Sequence, residues 1–260
     1  MRFKLLLEPI HVILGILKYS KTFDFSLGET MVSLGRSLFC VWLGFPALAP
    51  IYVFFPSLLE DYKEKFTVEN LMSFYNSPFY WSHLVVHEFS EAKREYVKHI
   101  IELIMKLGGT RRLRILDVGS GIGSYTVHLS RLGEVTYLDI SRKSLHLTKL
   151  RSKVNASGIL ASAEFLPVAD ASFDMAICLD ILEHIAEPRG VIDGIMTVLG
   201  SEDSYLVANY DISCPERDHI GKLARTEFED SIAQEFCISK ISFEVGSPVY
   251  VISKRSKHLG

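Results

Sequence analysis

Cysteine is scarce and scattered. The four cysteines among 260 residues, Cys40, Cys178, Cys214 and Cys237, form no metal-ligand pair and no disulfide framework, which suits a reducing, cytoplasmic setting. No basic run is interleaved with aromatics, and the net charge is −3, so the electrostatic footprint of a nucleic-acid binder is missing. There is no internal repeat and no low-complexity stretch. Glu8 interrupts the first apolar run, Leu5 to Leu17, and no small-residue cleavage site follows it, which argues against a secretory signal. What is present is 48% hydrophobic residues, enough for one large or two small domains with a sizeable core.

Ser37 to Leu59 runs for 23 residues without a charge. That length could cross a bilayer core of about 30 Å. Pro46, Pro50 and Pro56 would break or kink a helix repeatedly, although membrane helices tolerate some of this. Flanking positive charges are too evenly divided to orient a span. Arg2, Lys4 and Lys18 flank apolar residues and suit an interfacial helix. Three readings follow: a membrane-associated hairpin or re-entrant anchor, a single span, or an apolar helical layer buried within the protein or a dimer. The chain thus divides into an apolar N-terminal region and candidate anchor at 1–65, a helical cap at 66–109, and a core at 110–260. The first two readings place the protein at the cytoplasmic face of a membrane.

Tyr80 and Trp81 close an aromatic-rich stretch and suit either core packing or stacking on a ligand. Leu84 to Leu107 reads as a helix, with Val97, Ile100, Ile101 and Ile104 on one face and Gly108-Gly109 as its stop. Strands are predicted at Leu113–Val118, Val135–Leu138, Ile159–Ala161, Phe173–Leu179 and Tyr205–Ala208. They alternate with helices near Ser124–Arg131, Ser141–Val154 and Gly190–Leu199. Such alternation means an α/β fold, a Rossmann-like parallel sheet with helices on both faces. A helix at Thr226–Glu235 and two strands, Ile238–Phe243 and Val249–Ser253, end the chain.

Leu113 to Ser141 carries the chemistry. A strand enters a turn with Gly119, Gly121 and Gly123, a helix follows, and a second strand ends on Asp139. Glycines let backbone approach a ligand closely, and a carboxylate ending the next strand can accept both ribose hydroxyls. Asp139 lies 22 residues after Asp117, close to the roughly 20-residue offset expected for that contact. A dinucleotide site wants glycine or alanine where this chain has Ser124.

With ILDVGSGIG, LDIS and the later AEFLP…SFD…LEHI block in order, the stretch from about Ile115 to Ile252 resembles a class I S-adenosylmethionine-dependent methyltransferase, of the group that includes quinone-biosynthesis enzymes. The resemblance implies a seven-stranded, mostly parallel sheet completed by a terminal hairpin. It implies S-adenosylmethionine as cofactor, with Asp117, Gly119, Ser120, Gly121 and Gly123 around the methionine moiety. Asp139 and Ile140 would lie at the ribose, and Ser162, Ala163, Glu164 and Leu179 along the rest of the cofactor. Many relatives carry aspartate where this chain has Ser162, which as a neutral acceptor implies weaker adenine binding. The acceptor would be a small molecule, lipid-like if Ser37–Leu59 places the site at a membrane surface. Alternatives are a soluble metabolite or sugar as acceptor, or a degenerate binding module without catalysis.

Asp180-x-x-Glu183-His184 follows the fourth strand. His184 or Asp180 could serve as a general base for an acidic acceptor. The same residues resemble an acidic-acidic-histidine set that holds a divalent cation in some relatives, completed by His219. Equally, LEHI is a packing element whose polar groups bond to nearby backbone. His83 and His87 share metal-ligand spacing, but no third ligand is evident, and a satisfied or solvent-facing pair is the simpler reading.

Overall fold

Strands that are apolar at consecutive positions must be covered on both faces, and this condition shapes the centre of the fold. The computed structural model describes residues 75, 91–152, 156–211 and 223–255. Expectations for Ser37–Leu59, Tyr80, Trp81, His83, His87 and His219 lie outside the described residues. Contacts divide the chain into two units, Met1–Glu95 and Tyr96–Gly260.

The second unit holds helix α1 (Glu91–Gly108, which begins in the first unit), β1 (Leu113–Val118), α2 (Thr126–Leu129), β2 (Gly133–Asp139), α3 (Arg142–Ser152) and β3 (Ala156–Leu160). There follow β4 (Met175–Cys178), α4 (Pro188–Val198), β5 (Tyr205–Asn209), α5 (Arg225–Ala233), β6 (Phe236–Ile241) and β7 (Val249–Lys254). The seven strands form one sheet in the order β3-β2-β1-β4-β5-β7-β6. The first five are parallel, and β7 is antiparallel to both β5 and β6. This is the expected seven-stranded, mostly parallel α/β sheet with a terminal hairpin.

Side chains alternate along each inner strand between two cores. Leu116, Val118, Ala176, Cys178, Leu206 and Ala208 pack with Val191, Ile192 and Ile195 of α4 and Phe228 and Ile232 of α5. On the other face, Leu113, Ile115, Met175, Ile177 and Val207 pack with Val97, Ile100 and Ile104 of α1 and Leu129 of α2. Each fully buried Leu, Ile or Phe contributes roughly 1.5–3 kcal/mol. Tyr210 and Phe228 stack at 4.4 Å, and Phe228 meets Tyr250 edge-on at 5.7 Å, which ties α5 to the terminal hairpin. Gly109 ends α1 at φ +64, and its N–H donates to the Met105 carbonyl at 3.0 Å.

Several boundaries differ from the sequence reading, each for a local reason. β3 begins at Ala156 rather than Ile159, because this edge strand is only partly covered and lacks the apolar run that locates inner strands. β4 starts at Met175 rather than Phe173, which instead bridges Leu199. α2 is four residues long rather than eight, because the glycine turn extends to the residues before it. β6 begins at Phe236 and ends at Ile241, two residues ahead of expectation. Among the described residues, no helix is long and apolar enough to cross a membrane.

Gly133 opens β2 opposite Leu113, where a Cβ would lie 1.9 Å from the Leu113 carbonyl oxygen. Strand backbone cannot move aside without breaking the β1–β2 pairing. Gly133→Ala is therefore expected to destabilise the protein by about 3 kcal/mol, read as a lower urea midpoint at unchanged slope. A loss below about 0.5 kcal/mol would contradict the pairing.

Candidate functional site

The strand order reverses between β1 and β4, the position at which open α/β sheets bind ligands beyond their carboxyl ends. Val118 ends β1 with Leu138 on one side and Cys178 on the other. The glycine turn leaves this point. The N–H groups of Gly119 and Ser120 both donate to the Leu138 carbonyl, at 2.8 and 3.0 Å. Gly119, Gly121 and Gly123 take φ values of +74, +53 and +81, a region that residues with a Cβ avoid.

Asp139 closes the turn from β2. Its Oδ2 accepts the Gly121 N–H at 2.9 Å, and its Oδ1 accepts the Ser141 N–H at 2.8 Å. Two residues of α3 hold the outer side of the turn. The Thr148 hydroxyl donates to the Gly121 carbonyl at 3.1 Å, and the Arg151 guanidinium donates to the Ile122 carbonyl at 2.6 Å. Deeper in, the Thr126 hydroxyl donates to the carboxylate of Asp117, which is 2% exposed. Asp117 therefore braces α2 against β1.

Four observations bear on the fit of this cradle to an adenosyl ligand. Among the described residues, a Cβ built on Gly121 meets nothing within 4 Å, so none of them fills the space beside that backbone. A Cβ on Gly119 would instead strike the Ile181 side chain at 2.0 Å, so the segment after β4 packs on the glycine turn. Asp139 places a carboxylate, the acceptor type a ribose hydroxyl needs, at the end of β2, held by the amides of Gly121, Ser141 and Ile140 and by the Ser144 hydroxyl. The buried Ser120 Oγ has no hydrogen-bond partner among the described residues, a position a ligand's polar group can satisfy.

The structure brings the Ser162 segment to the same place. The Ala161 N–H donates to the Asp139 carbonyl at 3.1 Å. The Glu164 N–H donates to Ser162 Oγ at 3.3 Å, and the Ser162 hydroxyl donates to Glu164 at 3.4 Å. Ala163 and Leu179 are buried, and Ile140 is partly exposed. Phe165, 74% exposed, belongs to the same loop.

Asp180 takes φ +58 just past β4. Its N–H donates to Asn209 Oδ1 at 2.7 Å, and Asn209 Nδ2 donates back to Asp180 Oδ1 at 2.7 Å. Glu183 is buried and His184 partly exposed in the 3-10 turn Leu182–His184. Among the described residues, no three His, Cys, Asp or Glu side chains group as metal ligands. Burial pushes the Cys178 thiol well up, with Glu183, Asp117 and Asp180 adding to it, so these three carboxylates act on one point at the sheet end. Asn209, Thr126, Thr148 and Arg151 were not singled out by sequence reasoning. Only Asn209 left a signal, as a polar residue ending an apolar strand.

Residues 116–207 match the family described as a methyltransferase domain. An O-methyltransferase from Aspergillus nomiae is 29% identical over 130 residues, 46% of this chain and 58% of that protein. A ubiquinone biosynthesis O-methyltransferase from Pseudoalteromonas translucida is 30% identical over 115 residues, 42% of this chain and 46% of that protein. The chain spans about half the length of these curated relatives. In fold, it is similar to magnesium protoporphyrin IX methyltransferase from Synechocystis with bound S-adenosylmethionine, at TM-score 0.59 and 18% identity, covering 75% of this chain and all of that one. It is also similar to an N-methyltransferase from Bradyrhizobium japonicum in complex with S-adenosylhomocysteine, at TM-score 0.55 and 16% identity, covering 64% and 88%.

Burial pushes the Asp117 carboxyl up to about 7 from its ordinary 3.8, with the Asp139 charge adding and the Thr126 hydroxyl opposing. Burial likewise pushes Asp139 up to about 6, against the amides of Ser141 and Gly121. Folded values above unfolded ones mean that the folded state holds these protons more tightly. The resulting stability is complete below about pH 4 and is lost as pH rises through about 7. The melting temperature should therefore fall between pH 5 and pH 8, and Asp117→Asn should flatten that fall. A slope unchanged by Asp117→Asn would contradict the burial argument.

Proposed function

We propose that this chain, whose core belongs to the class I S-adenosylmethionine-dependent methyltransferases, transfers a methyl group from that cofactor to a small acceptor. The observation that carries the reading is the cradle at Gly121, open to a ligand on one side and fixed by Asp139 on the other. When bound, S-adenosylmethionine supplies a methyl group on a sulfonium whose thioether already leaves easily. The protein's part is then positioning rather than activation.

Asp139 would accept the ribose hydroxyls, and Ser120 and the glycine turn would line the methionine moiety. Ser162 would receive the adenine amino group as a neutral acceptor, more weakly than a carboxylate does. Asp180 and His184, beyond β4, are the candidates for the acceptor side, where His184 would take the proton of an acidic acceptor hydroxyl. The names of the similar ubiquinone biosynthesis O-methyltransferases support an oxygen as the acceptor atom. The uncharged run Ser37–Leu59 supports a lipophilic one held at a membrane surface. An acceptor screen therefore begins with lipids and quinones.

Calorimetric titration with S-adenosylmethionine and S-adenosylhomocysteine should show binding of both. Asp139→Ala should weaken each about 100-fold, the loss of two hydrogen bonds to a charged acceptor at roughly 1.5 kcal/mol apiece. Ser162→Asp should tighten both. An intact protein that binds neither would make the chain a degenerate, methyltransferase-like module.

A further inference from the structure

We propose that Asn209 is a positioning residue that holds the Asp180 carboxylate at the mouth of the site, where its charge favours the cationic sulfonium cofactor over the neutral thioether product. The inference rests on the cofactor reading above. Asn209 ends β5 and is wholly buried, and a buried amide is costly unless both of its ends are bonded.

Both of its amide ends engage Asp180. The Asn209 carbonyl accepts the Asp180 main-chain N–H, and the Asn209 amino group donates to the Asp180 carboxylate, each at 2.7 Å. Only one orientation of the amide serves both partners, since a main-chain N–H requires an acceptor and a carboxylate requires a donor. The ring so closed fixes the backbone and the side chain of Asp180 together. It does so at φ +58, a conformation that costs free energy in any residue with a Cβ and that Asp and Asn tolerate best.

The location gives this arrangement a use. Ile181, the next residue, has its side chain directly over Gly119, so the turn carrying Asp180 lies on the glycine turn of the cofactor cradle. Neighbouring strands β1 and β4 end together there, with Val118 beside Cys178. A carboxylate fixed at that point stabilises a positive charge in the cradle and does nothing for a neutral ligand. A unit charge about 10 Å away, at an effective dielectric of about 20, changes affinity roughly tenfold.

S-adenosylmethionine and S-adenosylhomocysteine differ only in the methyl group and its positive charge, so the ratio of their affinities isolates the effect. A pair that merely stabilises the turn would weaken both ligands alike. Asp180→Asn and Asp180→Gly both keep a residue suited to positive φ, so the fold should survive each. Calorimetry on each variant should show S-adenosylmethionine weakened about tenfold and S-adenosylhomocysteine changed less than about twofold. Asn209→Ala, or Asn209→Ser should the alanine variant fail to fold, should shift the ratio the same way by at least about threefold. Equal weakening of both ligands in the Asp180 variants would overturn the charge role. An unchanged ratio in the Asn209 variants, beside a shifted one at Asp180, would overturn the positioning role. A wild-type protein that binds neither ligand would instead overturn the cofactor reading itself.

Discussion

The Asp139 carboxylate ties the end of β2 to the glycine turn that follows β1, and the geometry of the site depends on that tie. One oxygen fixes the Gly121 amide and the other fixes the Ser141 amide at the start of α3. α3 in turn reaches back through Thr148 and Arg151 to the carbonyls of Gly121 and Ile122. The turn is thereby held on both sides while, among the described residues, nothing covers Gly121. Buried charge is costly, and the amides offset that cost by solvating the carboxylate with fixed dipoles. A ribose would add donors to an acceptor already in place.

Carboxyl groups gather at the same end of the sheet. Asp117 lies beneath the turn on Thr126, and Asp180 lies beyond β4 on Asn209. Asp117 accepts the Thr126 hydroxyl, and Asp180 accepts the Asn209 amide. Ion pairs occur elsewhere, as between Arg114 and Asp174 at 2.8 Å at the other end of β1. The proposed methyl transfer from a sulfonium suits such a mouth, since the donor is charged and the departing thioether is not.

The inner strands were legible because β1, β4 and β5 must be apolar on both faces and so read as short continuous runs. The position of Asp139 at the end of β2 was legible from its 22-residue offset from Asp117. β3 was displaced by three residues, because an edge strand is specified by hydrogen bonding to β2 more than by burial. Asn209 was not legible as a site residue, since its partner stands 29 positions upstream and its only local mark is polarity at the end of an apolar strand. Thr126, Thr148 and Arg151 act on a carboxylate or on main-chain carbonyls through ordinary polar side chains. Such contacts appear only once the chain is folded. Ser162 was read as a weakened adenine contact, and its hydroxyl is shared with Glu164 at 3.3 to 3.4 Å.

The central claim is that the space against Gly121 and Asp139 holds the adenosyl moiety. Crystals of the protein grown with S-adenosylhomocysteine test it most directly. The account predicts ligand density over Gly121, with both ribose hydroxyls within hydrogen-bond distance of the Asp139 carboxylate and the Gly121 amide still bonded to it. Ligand density elsewhere, or a ribose that leaves Asp139 untouched, would contradict it.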